Sequence, residues 1–208
     1  MPAVEHIAAI KRLNPKTLID VGANKGQFSL VARYLFPEIK IHAFEPLESE
    51  RKLLGRVVSS PIEIYATALG ATTGQATFFV ASRADSSSLL QPGSGQQAAY
   101  NVTLASSTTV QVAKLGDVLD LSMLPRPTLM KIDVQGGELE VLRGAGEGLN
   151  SLDAIYCEAS FVTLYEGQPL AHELVAYLMA SGFKLRGVFN LSYTMAFGAT
   201  QADFLFSR

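Results

Sequence analysis

Four acids stand where apolar runs end: Asp20 after Thr17-Leu18-Ile19, Glu45 after Ile41-His42-Ala43-Phe44, Asp133 after Leu129-Met130-Lys131-Ile132, and Glu158 after Ile155-Tyr156-Cys157. Ligands of open α/β sheets bind outside the carboxyl ends of the strands, so acids at such ends share a functional rim. Asp20 runs into Val21-Gly22-Ala23-Asn24-Lys25-Gly26, where glycines let the backbone approach a ligand that a Cβ would push away. The spacing is G-x-x-x-G, not the dinucleotide fingerprint G-x-G-x-x-G, which counts against a nicotinamide cofactor. Glu45 lies about 25 positions after Asp20, near the ~20-residue offset at which an acid meets a ribose. A carboxylate accepts from both cis hydroxyls of a ribose and repels a ribose phosphate, so adenosine is implied. On this reading a valine at Gly22 is expected to block the ligand and leave the domain folded.

Asp133 repeats the switch from strand to glycine turn to helix, being followed by Gln135-Gly136-Gly137. Its carboxylate should therefore face the reaction centre, where it could accept a proton, contact a donor amino group or hold a divalent ion. A helix-capping acid is the alternative. Glu158 would be a second carboxylate on the same rim. No dense Asp/His/Glu cluster accompanies them, so no metal is expected. His172 points away from the apolar face of its helix, and His6 and His42 read as structural.

The elements that must position these acids alternate as in a parallel sheet covered on both faces. Strands are expected at Thr17 to Val21, Ile39 to Phe44, Ile62 to Ala66, Thr128 to Val134 and Ala154 to Glu158, with Phe183 to Phe189 and Ala202 to Phe206 last. Helices are expected at Val4 to Leu13, Lys25 to Phe36, Leu47 to Val58, Glu138 to Leu142 and Leu170 to Ala180. The stretch from Gly70 to Val112 breaks the alternation. Thr77 to Val80 and Thr108 to Val112 look like strands, and composition makes Ser86 to Gln97 a solvated loop.

The chain resembles the class I methyltransferases that use S-adenosylmethionine, and more narrowly the FkbM family. The resemblance rests on Asp20 to Gly26, Phe44-Glu45-Pro46, Lys131 to Ala145, Ser86 to Leu90, Tyr165 to Leu170 and Gln201 to Phe206, in that family's order along the chain. Gln135 departs from it, standing where the family often carries an acid. The resemblance implies a Rossmann-like, mostly parallel seven-stranded sheet in one domain over residues 1–208, with residues 70–112 as an acceptor-side insertion. It implies S-adenosyl-L-methionine as cofactor, with Asp20, Gly22, Asn24 and Gly26 around its methionine part, Glu45 on the ribose, and Ala68 and Leu69 at the adenine. Asp133 and Glu158 are the candidate catalytic residues. The acceptor implied is a hydroxyl of a sugar, glycolipid or secondary metabolite, and Tyr165 and Glu166 could line its place. A nicotinamide-dependent oxidoreductase and a non-catalytic adenosine-binding protein remain as alternatives.

The bulk properties fit this picture. A length of 208 residues with 48% hydrophobic residues suits one domain with a sizeable core. The net charge of −2 gives no basic face for a nucleic acid. Glu5, His6, Lys11 and Arg12 interrupt the amino-terminal region, and no apolar run approaches the ~20 residues of a membrane span, so a cytoplasmic protein is expected. Cys157, the single cysteine, reads as a buried thiol.

Overall fold

The computed structural model describes residues 3–208. Its centre is β1 (Thr17–Val21), whose five residues are all buried. Burying each large side chain there contributes about 1.5–3 kcal/mol, which favours the centre of a two-faced sheet over an edge. β1 pairs in parallel with β2 (Lys40–Phe44) on one side and β7 (Thr128–Ile132) on the other. The seven-stranded sheet runs β3-β2-β1-β7-β8-β10-β9, with β3 at Ile62–Tyr65, β8 at Ala154–Ser160, β9 at Lys184–Thr194 and β10 at Gly198–Ser207. β10 is antiparallel to both neighbours and the remaining pairs are parallel. The order reverses between β1 and β7, which opens the crevice expected at a topological switch point.

Helices cover both faces. α1 (Ile7–Ile10), α2 (Gln27–Leu35) and α3 (Glu48–Val57) pack Ile10, Phe28, Val31 and Leu54 against Leu18, Ile41, Leu129 and Tyr156. α5 (Leu115–Val118), α6 (Glu138–Ala145) and α7 (Ala171–Ala180) bury Leu115, Val141, Leu142, Leu174 and Leu178 against Ile19, Met130, Ile155 and Phe204. Cys157 lies in that second core, and burial pushes its thiol well above the usual range. The lead-in helix is shorter than its sequence suggests. A 3₁₀ turn at Val4–His6 precedes α1, and Asn14, at φ 45°, turns the chain before Pro15. Among the described residues no helix is long and apolar enough to cross a membrane.

The interruption at 70–112 is a second, three-stranded sheet of β4 (Ala68–Leu69), β5 (Gly74–Ala81) and β6 (Leu104–Ala113), in the order β4-β6-β5. The segment between β5 and β6, expected to be a solvated loop, instead carries a 3₁₀ turn at Ala84–Ser86 and α4 (Ser94–Tyr100). Ser86, Ser87, Ser88 and Gln96 are buried. Their partners explain it: the Ser88 hydroxyl lies 3.2 Å from the Val134 carbonyl and 2.8 Å from that of Gln135, and Gln96 donates to the Tyr165 hydroxyl. Burial of Ser88 and of the Gln96 amide nitrogen is tolerable because both are met across the fold, while the Gln96 side-chain oxygen is buried without a partner.

Candidate functional site

A cavity of about 840 Å³ opens at the carboxyl edge of β1, β2 and β7. Glu45, just past β2, is 5% exposed. Its Oε2 accepts from the Asn24 amide at 2.9 Å and its Oε1 from the Leu47 amide at 2.8 Å. Burial pushes its pKa up to about 7 against those two hydrogen bonds. Two of roughly four lone-pair positions on the carboxylate are taken, which leaves acceptors for a diol. Phe44, Leu47, Ala68, Leu69, Phe78 and Leu89 supply an apolar wall beside it, with Phe44 stacked on Tyr65 at 4.6 Å.

The first glycine turn is built differently from its sequence expectation. Asp20 is fully buried and does not line the cavity: its Oδ2 accepts from the Ser29 hydroxyl at 2.6 Å, and its Oδ1, without a hydrogen-bond donor, faces Lys131 Nζ at 3.4 Å. Gly22 lines the cavity at φ 75°, but a Cβ added there would sit 1.9 Å from the Asp133 carbonyl oxygen. The glycine is required by the neighbouring chain as it leaves β7. This corrects the expectation that a valine there would be harmless to the fold. Gly26 lies outside the cavity lining, and a Cβ on it would meet Leu54 at 2.5 Å, so it lets α3 close on the turn. Asn24 reaches the cavity and holds Glu45 through its backbone.

Lys131 was missed by sequence reasoning, although a lone cation inside an apolar strand was the available signal. Its ammonium donates to the Gly22 carbonyl at 3.0 Å and stands 3.6 Å from Asp133 Oδ2. Burial alone would lower its pKa, but Asp20 and Asp133 beside it hold it charged and raise the value above that of an ordinary lysine.

Asp133 and Glu158 are brought together by Gln135. The Gln135 side-chain amide donates to Asp133 Oδ1 at 2.7 Å and to Glu158 Oε2 at 2.9 Å, while its Oε1 lies 2.8 Å from the Tyr165 hydroxyl. Gln201 donates to the other oxygen of Glu158. Burial first, and then the charges of Asp133, Asp203 and Glu138, push the Glu158 carboxyl well above the usual range. A neutral amide thus joins two acids where a third acid would add repulsion.

His6 reaches the cavity wall from the amino-terminal segment. Its Nδ1 lies 2.9 Å from the Tyr156 hydroxyl and 3.3 Å from Asp203 Oδ2, and Asn190 donates to the same Asp203 oxygen at 2.7 Å. Burial would raise the pKa of Asp203, but hydrogen bonds from His6, Asn190 and Tyr156 outweigh it and hold the carboxyl below its usual value. Glu166 and His172 are exposed and Tyr165 is buried, and none of the three lines the cavity. Among the described residues no three His, Cys, Asp or Glu side chains converge as a metal-ligand group.

The arrangement can hold an adenosine at one end and move a proton at the other. The family model of the methyltransferase FkbM domain matches residues 20–185. The chain is 29% identical over 156 residues to methyltransferase sdnD of Sordaria araneosa, covering 62% of this chain and 60% of that protein. It is 28% identical over 142 residues to Methyltransferase 1 of Beauveria bassiana (strain ARSEF 2860), covering 61% of this chain and 57% of the relative. The match thus spans about 60% of the length of these curated relatives. In fold, the chain is similar to magnesium protoporphyrin IX methyltransferase from Synechocystis PCC 6803 with bound SAM, with a TM-score of 0.52 at 10% identity over 97% of this chain and 74% of that one. Precorrin-6y C5,15-methyltransferase from Geobacter metallireducens GS-15 gives a TM-score of 0.50 at 14% identity over 97% and 84%.

Proposed function

Because this chain belongs to the methyltransferase FkbM domain family, we propose that it is an S-adenosylmethionine-dependent methyltransferase that O-methylates a hydroxyl of a sugar, glycolipid or secondary metabolite. The observation that carries the reading is one cavity with an amide-held carboxylate, Glu45, beside an apolar wall, and an acid pair, Asp133 and Glu158, also on its lining. When bound, S-adenosylmethionine supplies a methyl group made electrophilic by its sulfonium. Glu45 would accept from the two ribose hydroxyls, and Ala68 and Leu69 would border the adenine. Asn24 and Gly22 border the donor, while Asp20 and Gly26 shape the turn from behind. Asp133, whose side chain is 38% exposed, takes the proton from the acceptor hydroxyl. Asp85, Ser86, Gln96 and Tyr100, from the 70–112 insertion, form the acceptor wall.

The reading predicts that methyl-labelled donor, incubated with the protein and a panel of hydroxyl, amine and carboxylate acceptors, yields methyl ethers by mass spectrometry. Methylation confined to amines or carboxylates would overturn the O-methyl assignment. Oxidation of the same alcohols with NAD would favour the oxidoreductase alternative.

A further inference from the structure

Three carboxylates stand side by side at the cavity rim. Asp133 follows β7, Glu158 lies on β8, and Asp203 on β10 is its direct partner in the antiparallel register. Glu138, at the start of α6, adds a fourth negative field at Glu158. The ammonium facing this group is Lys131, which is shared with Asp20 and the Gly22 carbonyl. His6 stands against Asp203. Among the described residues Glu158 itself receives only neutral donors, the amides of Gln135 and Gln201, with the hydroxyls of Tyr100 and Tyr165 nearby. Acids so placed resist ionising together, and of the three rim carboxylates Glu158 is the one without a cation of its own and so the one that keeps a proton.

We propose that Glu158 is a carboxylic acid in the free protein and ionises when the sulfonium of the methyl donor enters the cavity, so that the site recognises the donor by charge. The inference rests on the methyltransferase reading above. On ionisation the carboxyl O–H bond breaks, its electron pair stays on the carboxylate and the proton leaves to solvent. The sulfonium then supplies the positive charge that the proton had supplied. The demethylated product is a neutral sulfide and brings no such charge, so its binding leaves Glu158 protonated. Burial and the neighbouring acids raise the Glu158 pKa in the direction this requires. Glu45, whose pKa is also raised, meets the same ribose in donor and product, so its contribution cancels in the difference between the two ligands.

The sign follows from linkage. Donor binding expels a proton, so donor affinity rises with pH by up to about tenfold per unit, until Glu158 is already ionised in the free protein. Product affinity does not share that rise. The test is calorimetric titration of the wild type and Glu158→Gln with S-adenosylmethionine and S-adenosylhomocysteine, in buffers of differing ionisation heat. The wild type should release about one proton more with the donor than with the product, and Glu158→Gln should show no such difference while still binding the product. Equal release with both ligands in the wild type, or a difference that survives in the variant, overturns the proposal. Should the variant fail to fold, the wild-type donor-to-product affinity ratio across pH decides: a rise of about tenfold per unit supports the proposal and a flat ratio overturns it. Absence of binding by either ligand overturns the donor reading itself and this inference with it.

Discussion

Asp133→Asn is expected to lower methyl transfer by about 10²- to 10⁴-fold, with a far smaller change in donor affinity. A neutral hydroxyl is a poor nucleophile, and the carboxylate that takes its proton contributes to the chemical step more than to binding. Asp133 is suited to the task because its amide is pinned to the Val21 carbonyl at 3.1 Å and its Oδ1 to Gln135 at 2.7 Å. The asparagine keeps the shape and removes the charge. Single-turnover transfer with wild type and variant, each with and without EDTA, measures the effect. A wild-type rate in the variant would make Asp133 a structural residue, and a loss of activity with EDTA restored by Mg²⁺ would assign it to a metal instead.

The second large effect is structural. Gly22→Val should fail to fold or melt far below the wild type. A left-handed φ of 75° costs a non-glycine residue about 1–3 kcal/mol, and the added Cβ would lie 1.9 Å from the Asp133 carbonyl oxygen. Overpacking of that kind typically adds about 1–3 kcal/mol more, and here the obstacle is backbone. Together, at about 2–6 kcal/mol, these reach the lower end of the roughly 5–15 kcal/mol that holds a domain folded. Thermal denaturation followed by circular dichroism checks it. A variant that melts like the wild type yet no longer binds the donor would restore the simpler view of Gly22 as only a ligand-facing glycine.

The central strands were legible because their burial is two-sided. Thr17 to Val21 and Ala154 to Cys157 are near-continuous apolar runs that only a covered parallel sheet accommodates, and each ends in or near its acid. The insertion was legible in part. Its two long strands, Gly74–Ala81 and Leu104–Ala113, contain the expected runs Thr77 to Val80 and Thr108 to Val112, but α4, Ser94–Tyr100, carries no apolar periodicity and so shows no pattern that a sequence window can detect. Burial of Ser88 and Gln96 depends on Val134, Gln135 and Tyr165, partners 46 to 69 positions away along the chain. His6 escaped for the same reason, since its partner Tyr156 is 150 positions away. The acids themselves were found by their positions at strand ends, but their roles divide by environment. Asp20 faces inward to Ser29 and Lys131, whereas Glu45 and Asp133 reach the cavity.

The account stands most directly on Glu45 and the donor. Calorimetric titration of S-adenosylmethionine into the wild type and Glu45→Ala should show binding that weakens in the variant by about 1–3 kcal/mol, roughly 5- to 150-fold, the cost of losing charge-assisted hydrogen bonds to the ribose. Unchanged affinity in a folded Glu45→Ala protein would contradict it.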